Sequence, residues 1–216
     1  MEEIIATFPT ALETIGMLAF SVSGVIAAMQ KKLDLMGIIV LAITTACGGG
    51  ILRDLLLNNG IPVFFINYFY ITTVGIAIVC TLVANKILFR HAALHKYNLS
   101  KVLDVADAIG LATFGTSAGL MVLDQGGNAL MCVFMCTITG CGGGILRDIL
   151  VQRMPIIFSG TIYAACCIVG SVALYFLADY LPLDVCAVIC FSLILGLRFL
   201  GIFKNVGLPK IKYRIE

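Results

Sequence analysis

Charged residues are scarce in this chain, and their scarcity excludes an ordinary soluble domain. Only 12% of the 216 residues are charged, 61% are hydrophobic, and the mean hydropathy is +1.08. Soluble domains carry about 25% charged residues, and their cores do not bury this much apolar surface. The composition therefore predicts an integral membrane protein. Because the chain starts Met1-Glu2-Glu3 rather than with a basic segment, we expect no cleavable signal peptide.

The residue types and spacings that carry catalysis or hold a metal are also missing. The chain has two histidines, and both lie outside the long apolar segments. Its nine cysteines form no CxxC pair and fall within apolar runs, which favours packing over disulfide or metal-binding roles. The motif GGGILRD lacks the Lys-Ser/Thr of a phosphate-binding loop. We therefore expect no enzyme, no cofactor, no nucleic-acid partner, and no metal beyond monovalent cations that bind transiently.

Long apolar runs dominate what is present. A membrane-spanning helix needs about 20 mainly apolar residues, and seven segments meet that length, with polar breaks between them. The expected fold is all-α: a polytopic membrane protein with one membrane domain over residues 1–216. The predicted spans are residues 10–29, 35–57, 68–89, 102–123, 128–150, 158–178 and 183–203.

The lysines and arginines are distributed unevenly between the two sides that these spans define. Of 14 basic residues, 11 fall on the side of the C-terminus, none falls on the side of the N-terminus, and three lie within spans. Cytoplasmic loops carry such an excess, so the pattern predicts an outside N-terminus and a cytoplasmic C-terminus. The 11 residues are Lys31, Lys32, Lys86, Arg90, Lys96, Lys101, Arg153, Lys204, Lys210, Lys212 and Arg214.

The sequence CGGGILRD begins at residue 47 and again at residue 141, a spacing of 94 residues. The same offset relates further positions, so residues 10–90 and 102–178 form two repeats and the span at 183–203 is extra. A three-span unit followed directly by its copy crosses the membrane in the opposite sense. The halves are therefore predicted to be inverted repeats about an axis in the membrane plane. The offset pairs Glu13 with Asp107, Phe20 with Phe114, Ser23 with Ser117, Thr45 with Thr139 and, after one deletion, Pro62 with Pro155.

The two glycine triplets lie just past the middle of the second and fifth spans. Each glycine costs a helix interior about 1 kcal/mol relative to alanine, which predicts a kink or a short unwound stretch at both places. Broken backbone at this depth is tolerated where it lines a wet cavity, and the carbonyls near Thr44 and Thr45 would then ligate a cation. The alternative is close packing of helices over small residues. The triplets are Gly48, Gly49, Gly50 and Gly142, Gly143, Gly144.

Each triplet is followed by an arginine and an aspartate, which are costly in lipid unless paired. Adjacent helix positions point about 100° apart, so Arg53 is expected to reach past Asp54 to an acid of the other half, with Glu13 and Asp107 as candidates. Arg147 and Asp148 repeat the arrangement, which suggests one charge network in each half. The alternative is that the arginines only anchor neighbouring helices. Arg198, which has no repeat partner, is expected to extend to the cytoplasmic surface.

Two copies of GGGxxRD in a seven-span chain of 3+3+1 organisation resemble the prokaryotic trimeric intracellular cation (TRIC) channels over about residues 10–205. The same repeat domain is also known as a putative bacterial glycine transporter family. The resemblance implies a homotrimer with a pathway for monovalent cations, chiefly K⁺, inside each protomer, lined by spans two and five kinked at the glycines. The short C-terminal tail is similar to that of prokaryotic members, which implies a multi-pass protein in the inner (plasma) membrane, in contact with lipids. The resemblance places in the pathway Gly48, Gly49, Gly50, Arg53, Asp54, Gly142, Gly143, Gly144, Arg147 and Asp148, to which the carbonyl argument adds Thr44, Thr45 and Thr139.

Two functions remain open from the residues alone. A monovalent-cation channel is favoured by the resemblance, although acids must then offset the arginines beside the pathway. A secondary transporter of a small amino acid such as glycine fits the same features, because helix N-termini suit a carboxylate and an acid suits an amino group. A weaker third hypothesis is a scaffold whose assembly, rather than transport, is its role.

Overall fold

The structure is a computed structural model, and it describes residues 2–90, 99–158, 162–204 and 206–207. That part of the chain contains eight α-helices and one 3-10 turn, Ile156–Phe158. Lys96, Lys210, Lys212 and Arg214, which contribute to the topology prediction, lie outside the described residues. The helices are α1 Glu2–Gln30, α2 Leu35–Leu56, α3 Val63–Ile66, α4 Tyr68–Arg90, α5 Leu99–Asp124, α6 Ala129–Leu150, α7 Ala164–Leu177 and α8 Leu183–Lys204.

Six of the described helices are long and apolar enough to cross a membrane: α1 from Thr10 onward, α2, α4, α5, α6 and α8. Their ends lie within three residues of the predicted spans. The agreement follows from the sequence itself, since apolar stretches of this length can satisfy their backbone hydrogen bonds in lipid only as helices.

The sixth predicted span is shorter in the structure than the sequence indicated. The prediction covers residues 158–178, of which 159–161 lie outside the described residues, and α7 runs only over Ala164–Leu177, which is 14 residues. Such a helix is about 21 Å long, less than the roughly 30 Å of a bilayer core. A turn of 3-10 helix precedes it, and Pro182 follows soon after its end, where the residue before a proline disfavours helical backbone.

The turns that lead into α2 and α6 have the same geometry. The Asp34 side chain accepts a hydrogen bond from the Gly37 amide at 2.8 Å, and the Asn128 side chain accepts one from Met131 at 2.9 Å, so each caps its helix. The preceding turn has positive φ at equivalent positions, 55° at Lys32 and 69° at Gly126. The two helices that carry the motifs therefore begin alike.

α1 and α5 pack against each other at the centre of the protein, and α5 is the more deeply buried of the two helices. In the first half, α4 packs on α1 and α2, and in the second half α7 packs on α5 and α6. α8 has no equivalent, and its main contacts are with α5 and α7. The core is thus two similar three-helix units with one additional helix on the second unit.

Of the two outcomes predicted at the glycine triplets, the short unwound stretch is wrong, and the kink stays a prediction. α2 and α6 are continuous α-helix through all three glycines of each copy. The reason is packing: all six glycines are buried, and the first two of each triplet contact the other motif helix, so contacts across the crossing offset the low helix propensity of glycine. Close packing, the alternative kept open from the sequence, is what the structure contains.

Candidate functional site

The two motif helices cross where the middle glycine of each triplet lies. A Cβ added at Gly49 would overlap the carbonyl oxygen of Thr139, and a Cβ added at Gly143 would overlap that of Thr45. These contacts are reciprocal, because residue 49 corresponds to 143 and residue 45 to 139. Reciprocal contacts between equivalent residues are the mark of a two-fold relation. α2 and α6 thus touch backbone to backbone at a pseudo-two-fold axis.

The same axis passes through a pair of aromatic rings on α1 and α5. Phe20 and Phe114, which are equivalent in the two repeats, stack with centroids 5.5 Å apart and an interplanar angle of 17°. Each ring lies over a glycine of the opposite helix, Phe114 over Gly16 and Phe20 over Gly110. The absence of side chains at these glycines lets α1 and α5 approach closely at the centre of the protein.

A first charge cluster surrounds Arg53 in the last turn of α2. The guanidinium donates from Nε to Asp54 Oδ1 at 2.8 Å, from Nη1 to Glu13 Oε1, and from Nη1 to Ser117 Oγ at 3.4 Å. The Tyr70 hydroxyl donates to Glu13 Oε2 at 3.1 Å. The first charge cluster therefore consists of Glu13, Arg53, Asp54, Tyr70 and Ser117.

A second charge cluster surrounds Arg147 in the last turn of α6. Its Nε donates to Asp148 Oδ1 at 2.9 Å, and its Nη1 donates to Asp107 Oδ1 at 2.7 Å and to Ser23 Oγ. The Tyr163 hydroxyl donates to Asp107 Oδ1 at 3.3 Å. The duplicated part of the second charge cluster is Ser23, Asp107, Arg147, Asp148 and Tyr163.

The aspartate of each motif also fixes the segment that follows its helix. Asp54 Oδ2 accepts a hydrogen bond from the Val63 amide, and Asp148 Oδ2 accepts one from the Ile156 amide, both at 3.1 Å. Val63 opens the short helix α3 and Ile156 opens the 3-10 turn. Each aspartate thus connects the arginine of its motif to the segment that follows the motif helix.

The pairing of Arg53 differs from the sequence prediction in two ways. It binds Asp54 directly, because the long arginine side chain curls back to its neighbour even though their Cα–Cβ bonds diverge. It also binds Glu13, which confirms one of the two candidate acids, but Glu13 belongs to the same half, and Asp107 of the other half pairs with Arg147. The link between halves is made by serines instead: Ser117 reaches Arg53, and Ser23 reaches Arg147.

Arg198 does not extend to the surface, contrary to the sequence prediction. It is only 2% exposed, its guanidinium carbon lies 4.8 Å from the centroid of the Tyr163 ring, and its Nη2 lies 4.0 Å from Asp107 Oδ2. Arg198 lies in the C-terminal half of α8, six residues before its end, and its side chain turns inward to a carboxylate and an aromatic face. It adds a second arginine to the second charge cluster.

Both clusters are closed to solvent. Arg53 is 2% exposed and Arg147 is 0% exposed. Buried charges are stable only when they are paired and hydrogen-bonded, and the carboxylates around each guanidinium supply that pairing. The described conformation is therefore one in which neither arginine faces water.

The three threonines expected near the pathway occupy different environments. Thr45 is buried and donates to the Leu41 carbonyl at 2.6 Å, while Thr44 is half-buried. Thr139 is buried, and among the described residues its hydroxyl has no hydrogen-bond partner. The equivalent feature of α2 and α6 is a backbone carbonyl covered by a glycine of the other helix. Gly143 covers the Thr45 carbonyl, and Gly49 covers the Thr139 carbonyl.

Sequence reasoning missed Tyr70 and Tyr163. Both hydroxyls bind the acid on the central helix of their own half, Glu13 and Asp107 respectively. A signal was available, since the offset that aligns Pro62 with Pro155 also aligns Tyr70 with Tyr163. Ser23 and Ser117 were aligned by the repeat but were not assigned a contact.

Fold and site together define a class: a polytopic membrane protein made of two duplicated halves, with one buried charge cluster per half. The profile of the family described as glycine transporter matches residues 10–86 and again residues 104–179. The chain therefore belongs to this family, and each match falls on one repeat.

Relatives of known origin support the membrane location. A UPF0126 membrane protein of Vibrio cholerae is 38% identical over 74% of this chain, and the chain spans 64% of that relative's length. The UPF0126 inner membrane protein YadS of Escherichia coli is 32% identical over 92% of this chain and 93% of the relative. With its apolar helices, the chain is a multi-pass inner membrane protein.

Solved structures share the whole fold. One solved structure, which describes the structural basis for conductance through TRIC cation channels, is 35% identical in sequence to this chain. The two structures superpose with a TM-score of 0.82, and the match covers 96% of this chain and 98% of the other. The TRIC trimeric intracellular cation channel orthologue of Rhodobacter sphaeroides is 26% identical, with a TM-score of 0.83 over 93% of this chain and 100% of that one. The resemblance to TRIC channels seen in the sequence is confirmed.

Proposed function

We propose that this protein is a K⁺-selective cation channel that works as a homotrimer, with one pathway inside each protomer. The observation that carries the proposal is the similarity to TRIC cation channels, at 35% identity over 96% of the chain. The trimer follows from the similarity to the Rhodobacter sphaeroides orthologue. The pathway runs along the crossing of α2 and α6, between the two charge clusters.

The proposed topology has seven crossings, with the N-terminus outside and the C-terminus in the cytoplasm. Support comes from the uneven distribution of lysine and arginine, with 11 of 14 on one predicted side. α7 serves as the sixth crossing together with the segments that flank it. The two halves then have opposite orientations, in keeping with their reciprocal contacts at Gly49 and Gly143.

Opening requires α2 and α6 to separate or bend at their crossing, because the described conformation leaves no room between Gly49 and the Thr139 carbonyl. Glycine triplets are sites where helices bend with little steric resistance. A bend there uncovers the carbonyl oxygens of Thr45 and Thr139. Backbone carbonyls replace the hydration shell of K⁺ in known selectivity filters, so these two oxygens are the proposed ligands of a passing ion.

The carboxylates explain how a cation passes near two arginines. Glu13 and Asp54 face Arg53, and Asp107 and Asp148 face Arg147, so neither guanidinium presents an unbalanced positive charge. A bare arginine at this depth would repel a cation and would itself be unstable. The acids are thus proposed to make the pathway permissive for cations.

Transport of glycine is the second candidate, and the description of the matching family favours it. A zwitterion would place its carboxylate near an arginine and its amino group near Glu13 or Asp107. The two candidates differ in what moves: a channel passes K⁺ without glycine, whereas a transporter couples glycine to an ion gradient.

Replacement of Glu13 by Gln is expected to lower K⁺ flux into reconstituted vesicles about threefold or more. The substitution leaves Arg53 with one carboxylate, and the added positive potential reduces the local cation concentration. The measurement is uptake of a K⁺ tracer under a K⁺ gradient, with labelled glycine tested in parallel. Asp124→Asn, which removes an exposed acid at the end of α5, is the matched control and should behave like wild type. Wild-type vesicles that accumulate glycine but not K⁺ would reverse the order of the two candidates.

A further inference from the structure

We infer that Arg198 makes the cation pathway electrically asymmetric, so that current flows more readily from the end of the first charge cluster than from the end of the second. The inference rests on the proposed channel function. Arg198 lies on α8, outside the two repeats, and its side chain extends into the second charge cluster.

The asymmetry is visible because the side chains around it are duplicated. The acid of the central helix, the motif arginine, the motif aspartate, the tyrosine and the crossed serine all occur in both clusters. The clusters differ in one hydrogen bond: Tyr70 binds the second oxygen of Glu13, whereas Tyr163 binds the Asp107 oxygen that Arg147 also binds. Arg198 has no counterpart in the first charge cluster, because the main contacts of α8 are with α5 and α7 of the second half. Without Arg198, the two ends of a cation pathway through these equivalent halves would carry the same formal charge.

The formal charges of the two clusters differ by one. The first contains two carboxylates, Glu13 and Asp54, and one guanidinium, so its formal charge is −1. The second contains two carboxylates, Asp107 and Asp148, and two guanidiniums when Arg198 is included, so it is neutral.

The other charged groups near the second cluster do not remove this difference. Asp104 lies one turn before Asp107 on α5 and is half-buried, and it interacts electrostatically with Arg198 first and then with Asp107, Arg147 and Arg153. Asp104 and Arg153 have opposite signs, so together they add no net charge.

Arg198 acts through charge rather than by holding Asp107 in place. Asp107 Oδ1 already accepts from Arg147 at 2.7 Å, and among the described residues Oδ2 has no hydrogen-bond partner. Arg198 Nη2 stands 4.0 Å from that Oδ2, and its Nη1 donates to the Ile162 carbonyl at 3.5 Å. Such contacts position the guanidinium beside the carboxylate, and its field reduces the attraction that Asp107 exerts on cations.

The expected consequence is rectification. A mouth with a net negative charge concentrates cations and raises the rate at which they enter, whereas a neutral mouth does not. In symmetrical KCl, current drawn from the first cluster's end should exceed current drawn from the second cluster's end by about twofold. In the open channel, where the clusters face the aqueous pathway, the effect should weaken as salt rises from about 0.1 M to 1 M, because the screening length falls from about 10 Å to 3 Å.

The test compares Arg198→Met with Arg198→Lys in single-channel recordings in symmetrical KCl. The measured quantity is the larger current divided by the smaller at equal and opposite voltages within one channel, a ratio that does not depend on the direction of insertion. Arg198→Met should bring the ratio from about two to about one, and Arg198→Lys, which keeps the charge, should preserve the wild-type ratio and its salt dependence. Methionine matches the length of the apolar stem and leaves no buried charge of its own.

A second variant secures the result if Arg198→Met does not fold. Glu13→Gln changes the formal charge of the first cluster from −1 to zero. It should also bring the current ratio to about one, while reducing the current in both directions. An unchanged ratio in a conducting Arg198→Met or Glu13→Gln channel overturns the inference and leaves the channel proposal intact. Wild-type protein that carries no K⁺ current overturns the proposed function itself, and the inference with it.

Discussion

Arg147→Met is expected to destabilise the protein by about 3–5 kcal/mol, the range for breaking a buried ion pair by removing one partner. Arg147 is 0% exposed, and the side chains of its two carboxylate partners, Asp107 and Asp148, are 0% and 1% exposed. Without the guanidinium, two buried carboxylates face each other with no counter-charge at Oδ1. Asp148 also fixes the turn at Ile156, so the damage extends to the segment that leads into α7.

The measurement is the free energy of unfolding in detergent, with assembly size recorded alongside. Arg153→Met is the matched control, since Arg153 is partly buried but binds the neutral Gln30 at 2.8 Å, and its loss should cost no more than about 1 kcal/mol. Arg147→Lys should fall between the two, because an ammonium keeps the charge but lacks the fork that binds both acids. Arg147→Met within about 0.5 kcal/mol of wild type would contradict the assigned pairing. Loss of assembly with K⁺ flux unchanged would favour the scaffold hypothesis.

Gly49→Ala is expected to cost about 1–3 kcal/mol even though alanine is the better helix former. The new Cβ would overlap the Thr139 carbonyl oxygen, which belongs to the backbone of α6 and cannot rotate away. α2 and α6 must then move apart at the axis of the molecule. Gly143→Ala should have a similar effect, because its Cβ meets the Thr45 carbonyl in the same way.

Gly50→Ala is the matched control, one residue along the same triplet. Its Cβ would lie 3.5 Å from Phe114 Cε1, an ordinary contact, so this variant should be neutral or stabilised by up to about 1 kcal/mol. Thermal unfolding of the two variants in one detergent distinguishes them. Equal stability of Gly49→Ala and Gly50→Ala would mean that the helices do not cross backbone to backbone at residue 49.

The repeat explains why much of the fold and site could be predicted from sequence. An eight-residue identity at a fixed offset identifies the motif helices, and the same offset brings forward the acids at 13 and 107 that bind the arginines. Apolar length then gives the long helices, since lipid leaves the backbone few alternatives. Periodicity and duplication carry this information without any knowledge of tertiary contacts.

Contacts that depend on how helices pack could not be derived in the same way. Propensity alone argues for broken helices at the glycines, but the backbone contact of Gly49 with α6 outweighs it. The ion pair between Arg53 and Asp54 depends on side-chain conformation rather than on sequence spacing. Arg198 lies outside the repeat, so duplication says nothing of its partners, and its burial follows only from where α8 packs.

Recording from purified protein in a planar bilayer under a KCl gradient tests the central claim most directly. The account predicts unitary currents that reverse near the Nernst potential for K⁺ and persist without glycine on either side. Silent bilayers, from a preparation that takes up glycine in a saturable and gradient-dependent manner, would contradict it.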